Sequence, residues 1–394
     1  MNSSNNLNWR VALFTISRLV VNTSSRMIYP FLAVFAAGLN VEISKVSLAL
    51  AASMATSAVA PFIAPIADRR GRKIGMLIGM GIFLAGTISA WAFPSYLTFF
   101  LAIMLGNLGN NIFIPSLQAY VGDHVSYQKR GFYLAVTELS WALSFILLVP
   151  MAGLIIEKTS WSGPYAALSI LGLVMTGLIW ILIPADKPIE SEPLMIIGNI
   201  RHVLSHTPAI LGILMGTLFI TGNELVNVVF GVWMQDSFGL QVAALGAASA
   251  VIGFSELAGE GVTLFVADRF GKERTIGLSL LFNGLWVLAL PFLGKTLPGA
   301  FVWLFLFYLT FEVGIVSALP LMTEITPAAR ATMMSLFIAA LSLGRAIGDV
   351  TAPLLYKWGF MANAVTCMVL DLLAILALSR IRLPRQSECK RPTP

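Results

Sequence analysis

Apolar stretches of about twenty residues recur from one end of the chain to the other, each closed by a short polar break. A helix of that length crosses the roughly 30 Å hydrocarbon core of a bilayer. One such run could be an anchor. Many in succession leave a bundle of membrane-spanning helices, because backbone in lipid must satisfy its own hydrogen bonds. The runs read as twelve spans, at roughly 11–36, 44–66, 74–93, 97–120, 132–156, 164–183, 208–234, 243–266, 275–294, 299–322, 331–355 and 360–379. Composition agrees: 57% of the 394 residues are hydrophobic and 11% are charged, against about 25% charged in a soluble domain. The polar start MNSSNNLNWR runs straight into the first span, so no separate signal peptide is expected. Cys367 and Cys389 offer no disulfide framework. The expected fold is an all-α membrane protein of twelve transmembrane helices.

Charge placement sets the orientation. With the N-terminus inside, eighteen of the 25 Lys and Arg residues fall on cytoplasmic segments, among them Arg72, Lys73, Lys129, Arg130, Lys187 and Arg274. Only Lys45, Lys158, Lys295 and Lys357 fall outside, and three arginines lie within spans. That asymmetry places both termini in the cytoplasm of a plasma membrane, a bacterial inner membrane being expected. The net charge of +6 is then topological, and nucleic acid is not an expected partner.

The chain also repeats itself. Residues 67–73 read ADRRGRK and residues 267–274 read ADRFGKER, with Asp68 and Asp268 200 positions apart; Arg130 and Arg330 share that offset. Two copies of one six-helix unit follow: 1–183, a cytoplasmic linker 184–207, 208–380, and a basic tail 381–394. In each copy an Asp ends a span, a glycine permits a tight turn and basic residues hold the loop at the inner leaflet. Asp68, Arg69, Gly71, Arg72, Asp268, Arg269 and Gly271 are therefore expected to act as a conformational latch as well as a topology anchor.

Two six-helix halves in parallel repeat are the architecture of major facilitator transporters, and the chain resembles the major facilitator superfamily over essentially its whole length. APIADRRGRK matches the family's loop 2–3 signature, Gly-x-x-x-Asp-Arg-x-Gly-Arg-Arg/Lys, with Ala64 in place of the first glycine. PSLQAYVGDHVSYQKRG resembles the fourth-span exit of the drug-exporter branches. Their span-four arginine is missing from LAIMLGNLG, and their Gly-Pro antiporter signature is reduced to Pro150 and Gly153 in LLVPMAGL. The resemblance implies a pseudo-symmetric major facilitator fold, with spans one and seven facing each other across a cavity.

Ten charges lie inside the apolar runs. Each costs several kcal/mol facing lipid, so most should face a wet cavity or a partner. In span one, Arg18, Asn22, Arg26 and Tyr29 recur at helical spacing and form a polar stripe. At offset 200 span seven carries Asn223, Glu224 and Asn227, so a basic and an acidic group are expected on opposing walls; the alternative for Arg26 is a structural pair joining two helices. Asn107, Asn110 and Asn111 mark span four, Glu138 and Trp141 span five, and Glu312 span ten. Asn107 and Asn111 share a face, for substrate or for interhelical hydrogen bonds. Glu256 and Glu260, one turn apart in a span without a basic residue, cannot both be cheaply charged, as a reversible proton carrier requires. Arg345 and Asp349, also at i,i+4, are expected to neutralise each other. Asp371 in span twelve has little functional expectation.

Neither a metal site nor a nucleotide loop is legible. His124, His202 and His206 lie near cytoplasmic edges without acidic ligands in register, and no phosphate-binding loop with a lysine occurs. No cofactor and no enzymatic activity are expected. The leading expectation is a monomeric, proton-coupled exporter of a small amphipathic compound, working by alternating access, with protons exchanged at Glu138, Glu224, Glu256, Glu260 or Glu312. Organic-anion uptake by proton symport, favoured by Arg18, Arg26 and Arg345, is one alternative. A non-transporting membrane sensor or assembly protein is the other.

Overall fold

The computed structural model describes residues 3–68, 71–185, 196–326 and 329–381, all of them helix or short connections. The first half runs α1 (Ser3–Arg26), α2 (Leu32–Gly38), α3 (Ile43–Asp68), α4 (Arg72–Ala92), α5 (Tyr96–His124), α6 (Tyr127–Glu138), α7 (Ser140–Leu143), a π-helical segment (Ser144–Leu148), α8 (Val149–Lys158) and α9 (Gly163–Leu182). A short α10 (Ile196–Leu204) leads to the second half: α11 (Thr207–Asn227), α12 (Phe230–Phe238), α13 (Val242–Phe270), α14 (Lys272–Leu293), α15 (Leu297–Ile325), α16 (Arg330–Tyr356) and α17 (Phe360–Ser379). Among the described residues ten helices are long and apolar enough to span a bilayer, or eleven with the pair Leu32–Gly38 and Ile43–Ser57, which is bent by 112°. The chain is thus a multi-spanning, membrane-embedded α-helical protein. α1 falls short of that measure because Arg10, Arg18, Arg26 and its asparagines dilute its apolar residues. Those of its polar side chains that lie deepest, Arg18, Asn22 and Arg26, are buried in protein.

The repeat is visible in what touches what. α4 packs on α5, α3 on α5, α4 on α9 and α1 on α9; the second half repeats this with α14 on α15, α13 on α15, α14 on α17 and α11 on α17. Gly71 and Gly271 begin α4 and α14 with φ of 101° and 83°, a backbone that side-chain-bearing residues rarely adopt. Both first spans break at the same level, after Arg26 and after Asn227. In the first half Pro30 lacks the N–H that would continue the helix. Pro150 acts likewise in the fifth span, where the π-helical turn just before it absorbs the lost hydrogen bond. Each half also carries an aromatic cluster at its far end: Phe35, Phe99, Trp161 and Tyr165 in one, and Trp233, Trp303, Phe307 and Phe360 in the other.

The halves meet through α3 against α16 and α13 against the fifth span. Their closest approaches lie toward the end remote from the N-terminus. A Cβ added at Gly231 would collide with the Pro30 carbonyl, one at Gly153 would stand 3.1 Å from the Val242 oxygen, and one at Gly246 3.0 Å from Pro150 Cα. Ser47 Oγ on α3 donates to the Asp349 main-chain carbonyl on α16. The last close contact before the centre is Gly253 against the Ala142 carbonyl. The molecule is closed at this far end, and a cavity stands between the halves below the closure.

Candidate functional site

The cavity has a volume of about 610 Å³ and is walled by both halves. Of the residues singled out by sequence, Arg26, Tyr29, Asn107, Asn110, Asn111, Glu138, Trp141, Asn223, Glu224, Asn227, Glu256, Glu260, Glu312 and Arg345 line it. Arg18, Asn22 and Asp349 do not. They are buried behind the wall, where Asn22 donates to Ser140 Oγ at 3.4 Å.

One contact crosses the centre. Arg26 Nη2, from α1, reaches both carboxyl oxygens of Glu256 on α13, at 2.7 and 2.8 Å. The two side chains are 3% and 8% exposed, which places the ion pair in a nearly dry setting. The guanidinium lies 4.1 Å from the Trp141 ring and 3.7 Å from the Phe145 ring. Among the described residues its Nε and Nη1 have no hydrogen-bond partner, and the aromatic faces give that part of the cation a favourable, non-hydrogen-bonding environment. The offset of 200 set Glu224 on the wall opposite Arg26 without naming a pair; the ion-pair partner of Arg26 is Glu256. Glu256 therefore has its counter-charge from the other half, and its ionised form does not require that Glu260 carry the proton for the two.

A second pair supports the wall from behind. Arg18 Nη2 meets Glu138 Oε2 at 2.6 Å, and Gln118 adds a longer contact of 3.4 Å to Oε1. Glu260 and Glu312 have no cation within ion-pair distance among the described residues, and Glu312 lies within electrostatic reach of both Glu256 and Glu260. Gly259 makes that proximity possible: a Cβ there would stand 2.7 Å from Glu312 Cβ, so α13 and α15 touch at this level. Asn107 Nδ2 bonds the Ser53 carbonyl at 2.7 Å and Thr56 Oγ1 at 3.0 Å, and Asn111 bonds Ser57 Oγ at 3.1 Å. These two asparagines tie α5 to α3. Asn110 and Asn223 each keep a buried carbonyl oxygen without a donor.

Nearer the closure, Glu224 accepts from Asn227 Nδ2 at 3.2 Å, and Tyr308 donates to Asn227 Oδ1 at 2.9 Å. Tyr29, from the first half, is a further side-chain neighbour of Glu224. The expected neutralising pair of Arg345 and Asp349 does not form: no ion pair joins them within 4.0 Å. Arg345 points to the Trp141 ring at 5.8 Å, and Asp349 lies beside Glu224. The reason is Gly348, whose missing side chain lets α16 press against Glu224 and turns the next residue onto α11. Sequence reasoning missed Ser53, Ser57, Phe145, Tyr308 and Phe311 on the wall. Tyr308 stands one turn before Glu312, a spacing that marks the same helical face.

At the terminus end, Arg72 pairs with Asp123 at 3.2 Å, and Lys272 pairs with Glu324. The equivalent loops thus each tie the start of one helix to the end of the next. Arg269 is exposed, with its guanidinium 5.9 Å from the Phe270 ring. Arg69 lies outside the described residues, as do the side chains of Asp68 and Asp268.

A lipid-embedded bundle in two repeated halves, with a polar cavity between them and closure at one end, defines a membrane transporter rather than an enzyme. Among the described residues no three His, Cys, Asp or Glu side chains gather as a metal site. The chain belongs to the Major Facilitator Superfamily, whose family model matches residues 14–222 and 212–394. It is 28% identical over 366 residues to the uncharacterized MFS-type transporter YceJ of Bacillus subtilis, covering 91% of this chain and 92% of the relative. It is 24% identical over 371 residues to a multi-drug resistance efflux pump PmrA homolog of Lactococcus lactis, covering 90% and 89%. Its fold matches the crystal structure of a bacterial homolog of the human lysosomal transporter Spinster, with a TM-score of 0.76 at 14% identity, covering 96% of this chain and 98% of that one. The protein is a secondary active transporter of a small molecule.

Proposed function

We propose that the chain is a proton-coupled exporter of a small amphipathic compound, working by alternating access. The observation that carries this reading is the Arg26–Glu256 pair, which joins the two halves across the cavity from within a nearly dry site. A positively charged substrate entering from the cytoplasm competes with Arg26 for Glu256 and so unties the halves. A proton taken up by Glu256 from the far side then displaces that substrate. Arg26 keeps its aromatic bed of Trp141 and Phe145 while it is released. Glu260 and Glu312 leave the wall with more carboxyl than cationic groups, and Phe145, Tyr308 and Phe311 add apolar faces. That combination suits an amphipathic compound bearing positive charge. The name of the Lactococcus lactis relative supports export.

The architecture that goes with this reading is a monomer of twelve spans, with α1–α2 counted as the first. The halves are 1–183 and 208–380, joined by a linker at 184–207 and followed by a tail at 381–394. Both termini lie in the cytoplasm of a bacterial inner membrane. The cavity of this structure then faces the cytoplasm, with Arg72, Arg269 and their glycine turns serving as the latch on that side.

Arg345, on the cavity wall without an ion pair among the described residues, favours a second reading, proton-driven uptake of an organic anion. Purified protein in lipid vesicles separates the two, with ethidium as the cationic probe and taurocholate as the anionic one. Export by proton exchange predicts ethidium accumulation in vesicles with an acidic lumen. Anion symport predicts taurocholate accumulation when the outside is acidic. Gradient-independent equilibration of both probes would refute proton coupling, and accumulation of taurocholate alone would replace the first reading by the second.

A further inference from the structure

The exporter reading gives Glu256 its proton and leaves another pair of carboxyl groups without a role. Glu224 on α11 and Asp349 on α16 are 2% and 0% exposed. A Cβ at Gly348 would collide with Glu224 Cβ, so the two helices touch here and the carboxyl groups become neighbours. Among the described residues, both carboxyl oxygens of Asp349 are buried without a hydrogen-bond donor. Ionised carboxylates only accept, so two of them side by side cannot satisfy each other. A proton held between them supplies the missing donor and removes the repulsion.

The surroundings help Glu224 but bring Asp349 no donor among the described residues: Asn227 donates to Glu224 at 3.2 Å, and Arg345 acts on both acids only through space. Tyr29 comes from the α1–α2 turn, and Tyr308 on α15 acts through Asn227. Arg345, one turn before Asp349, makes no ion pair with either acid among the described residues. Arg26 and Glu256 lie beyond Tyr308 and balance each other. α17 contributes Asn363, which bonds the Leu225 and Ala352 carbonyls, and the Cys367 thiol against Gly222. α3 contributes Ser47, which is uncharged.

Both acids are also built into the far-end seam. Ser47 of the first half donates to the main-chain carbonyl of Asp349 itself. Tyr29, the neighbour of Glu224, precedes Pro30, whose carbonyl abuts Gly231. We propose that Glu224 and Asp349 form a second proton-binding site, sharing one proton that holds the far-end closure shut, and that loss of this proton opens the cavity to that side. The site rests on the exporter reading only for the direction of the cycle: a proton taken from the far side recloses the gate after the substrate has left.

The test needs no substrate, so it stands or falls apart from the transport assay. Nitroxide labels at Glu42→Cys and Ser237→Cys, in a Cys389→Ser background, report the separation of the halves at the far end in lipid nanodiscs. From about pH 5 to about pH 9 the parent protein should pass from a short to a long distance with a single midpoint. In Glu224→Gln and in Asp349→Asn the new amide donates to the remaining carboxylate. Each variant should therefore stay short, or move its midpoint upward by at least about one pH unit; either variant alone suffices if the other fails to fold. Glu256→Gln should keep a pH-dependent change, whatever its offset. A parent distance indifferent to pH overturns the proposal. So do dyad variants that keep the parent midpoint, and so does a response lost only in Glu256→Gln, which would assign the gate to the Arg26–Glu256 pair.

Discussion

Glu256→Gln tests the bridge across the cavity most directly. The substitution keeps volume and one acceptor oxygen but removes the charge that Arg26 Nη2 meets at 2.7 and 2.8 Å. Arg26 is then left as a cation with 3% of its side chain exposed and no other anion at ion-pair distance among the described residues. Removing one partner of a buried pair typically costs about 3–5 kcal/mol. The rings of Trp141 and Phe145 are unchanged, and their contribution of up to about 2 kcal/mol persists in the variant. We therefore expect the cost to fall near 3 kcal/mol, borne by any conformation that keeps the pair. That is roughly a hundredfold in the balance between conformations, since each 1.4 kcal/mol is about tenfold. Thermal unfolding and the far-end label distance, both at one fixed pH, read this out. Arg26→Gln should produce a loss of similar size, and the double variant should be less perturbed than the sum of the two, with a coupling of about 2–3 kcal/mol. Additivity within about 0.5 kcal/mol would refute the bridge as an energetic link between the halves.

Gly231→Val places a branched side chain against the Pro30 carbonyl. It should cost about 1–3 kcal/mol and hold the far-end labels apart at every pH, as a distance measurement would show. Trp141→Ala removes the ring that serves both Arg26 and Arg345. Ethidium affinity in a fluorescence titration should fall by about tenfold, in line with an aromatic–cation contact of about 1–2 kcal/mol. For topology, a thiol placed by Lys158→Cys should react with an impermeant reagent on intact cells, and one placed by Lys187→Cys should be protected; the reverse pattern would invert the orientation.

Much of the fold was legible because its signals are local. Apolar run length, basic loops and the hinge glycines at 71 and 271 each speak within a few residues, and the break after Arg26 was marked by Pro30. Most of the cavity was legible for a simpler reason. A charge inside an apolar run has few places to go, so Glu138, Glu224, Glu256, Glu260, Glu312, Arg26 and Arg345 all line the space between the halves. The pairings were another matter. The repeat offset set Arg26 and Glu224 on opposing walls and named no partner for either; the partner of Arg26 is fixed by how α13 is rotated against α1, a tertiary quantity with no local trace. Arg345 and Asp349 have ideal helical spacing for a pair, yet the glycine between them admits α11 and gives Asp349 a different neighbour. The count of spans was strained by α1, whose arginines make it look least like a membrane helix because it is buried among the others.

The far-end closure has a kinetic consequence. At Gly231, Gly153, Gly246 and Gly253 the halves meet where one side has no side chain and the other offers carbonyl, proline or a smooth apolar surface. Such a joint is nearly flat. At these points parting slides the glycines off main-chain carbonyls, the edge of the Phe31 ring and the Ile146 side chain. The polar ties that cross the joint, Ser47 to the Asp349 carbonyl and Arg26 to Glu256, then add to the barrier, and the glycine faces act as the bearing on which the halves part.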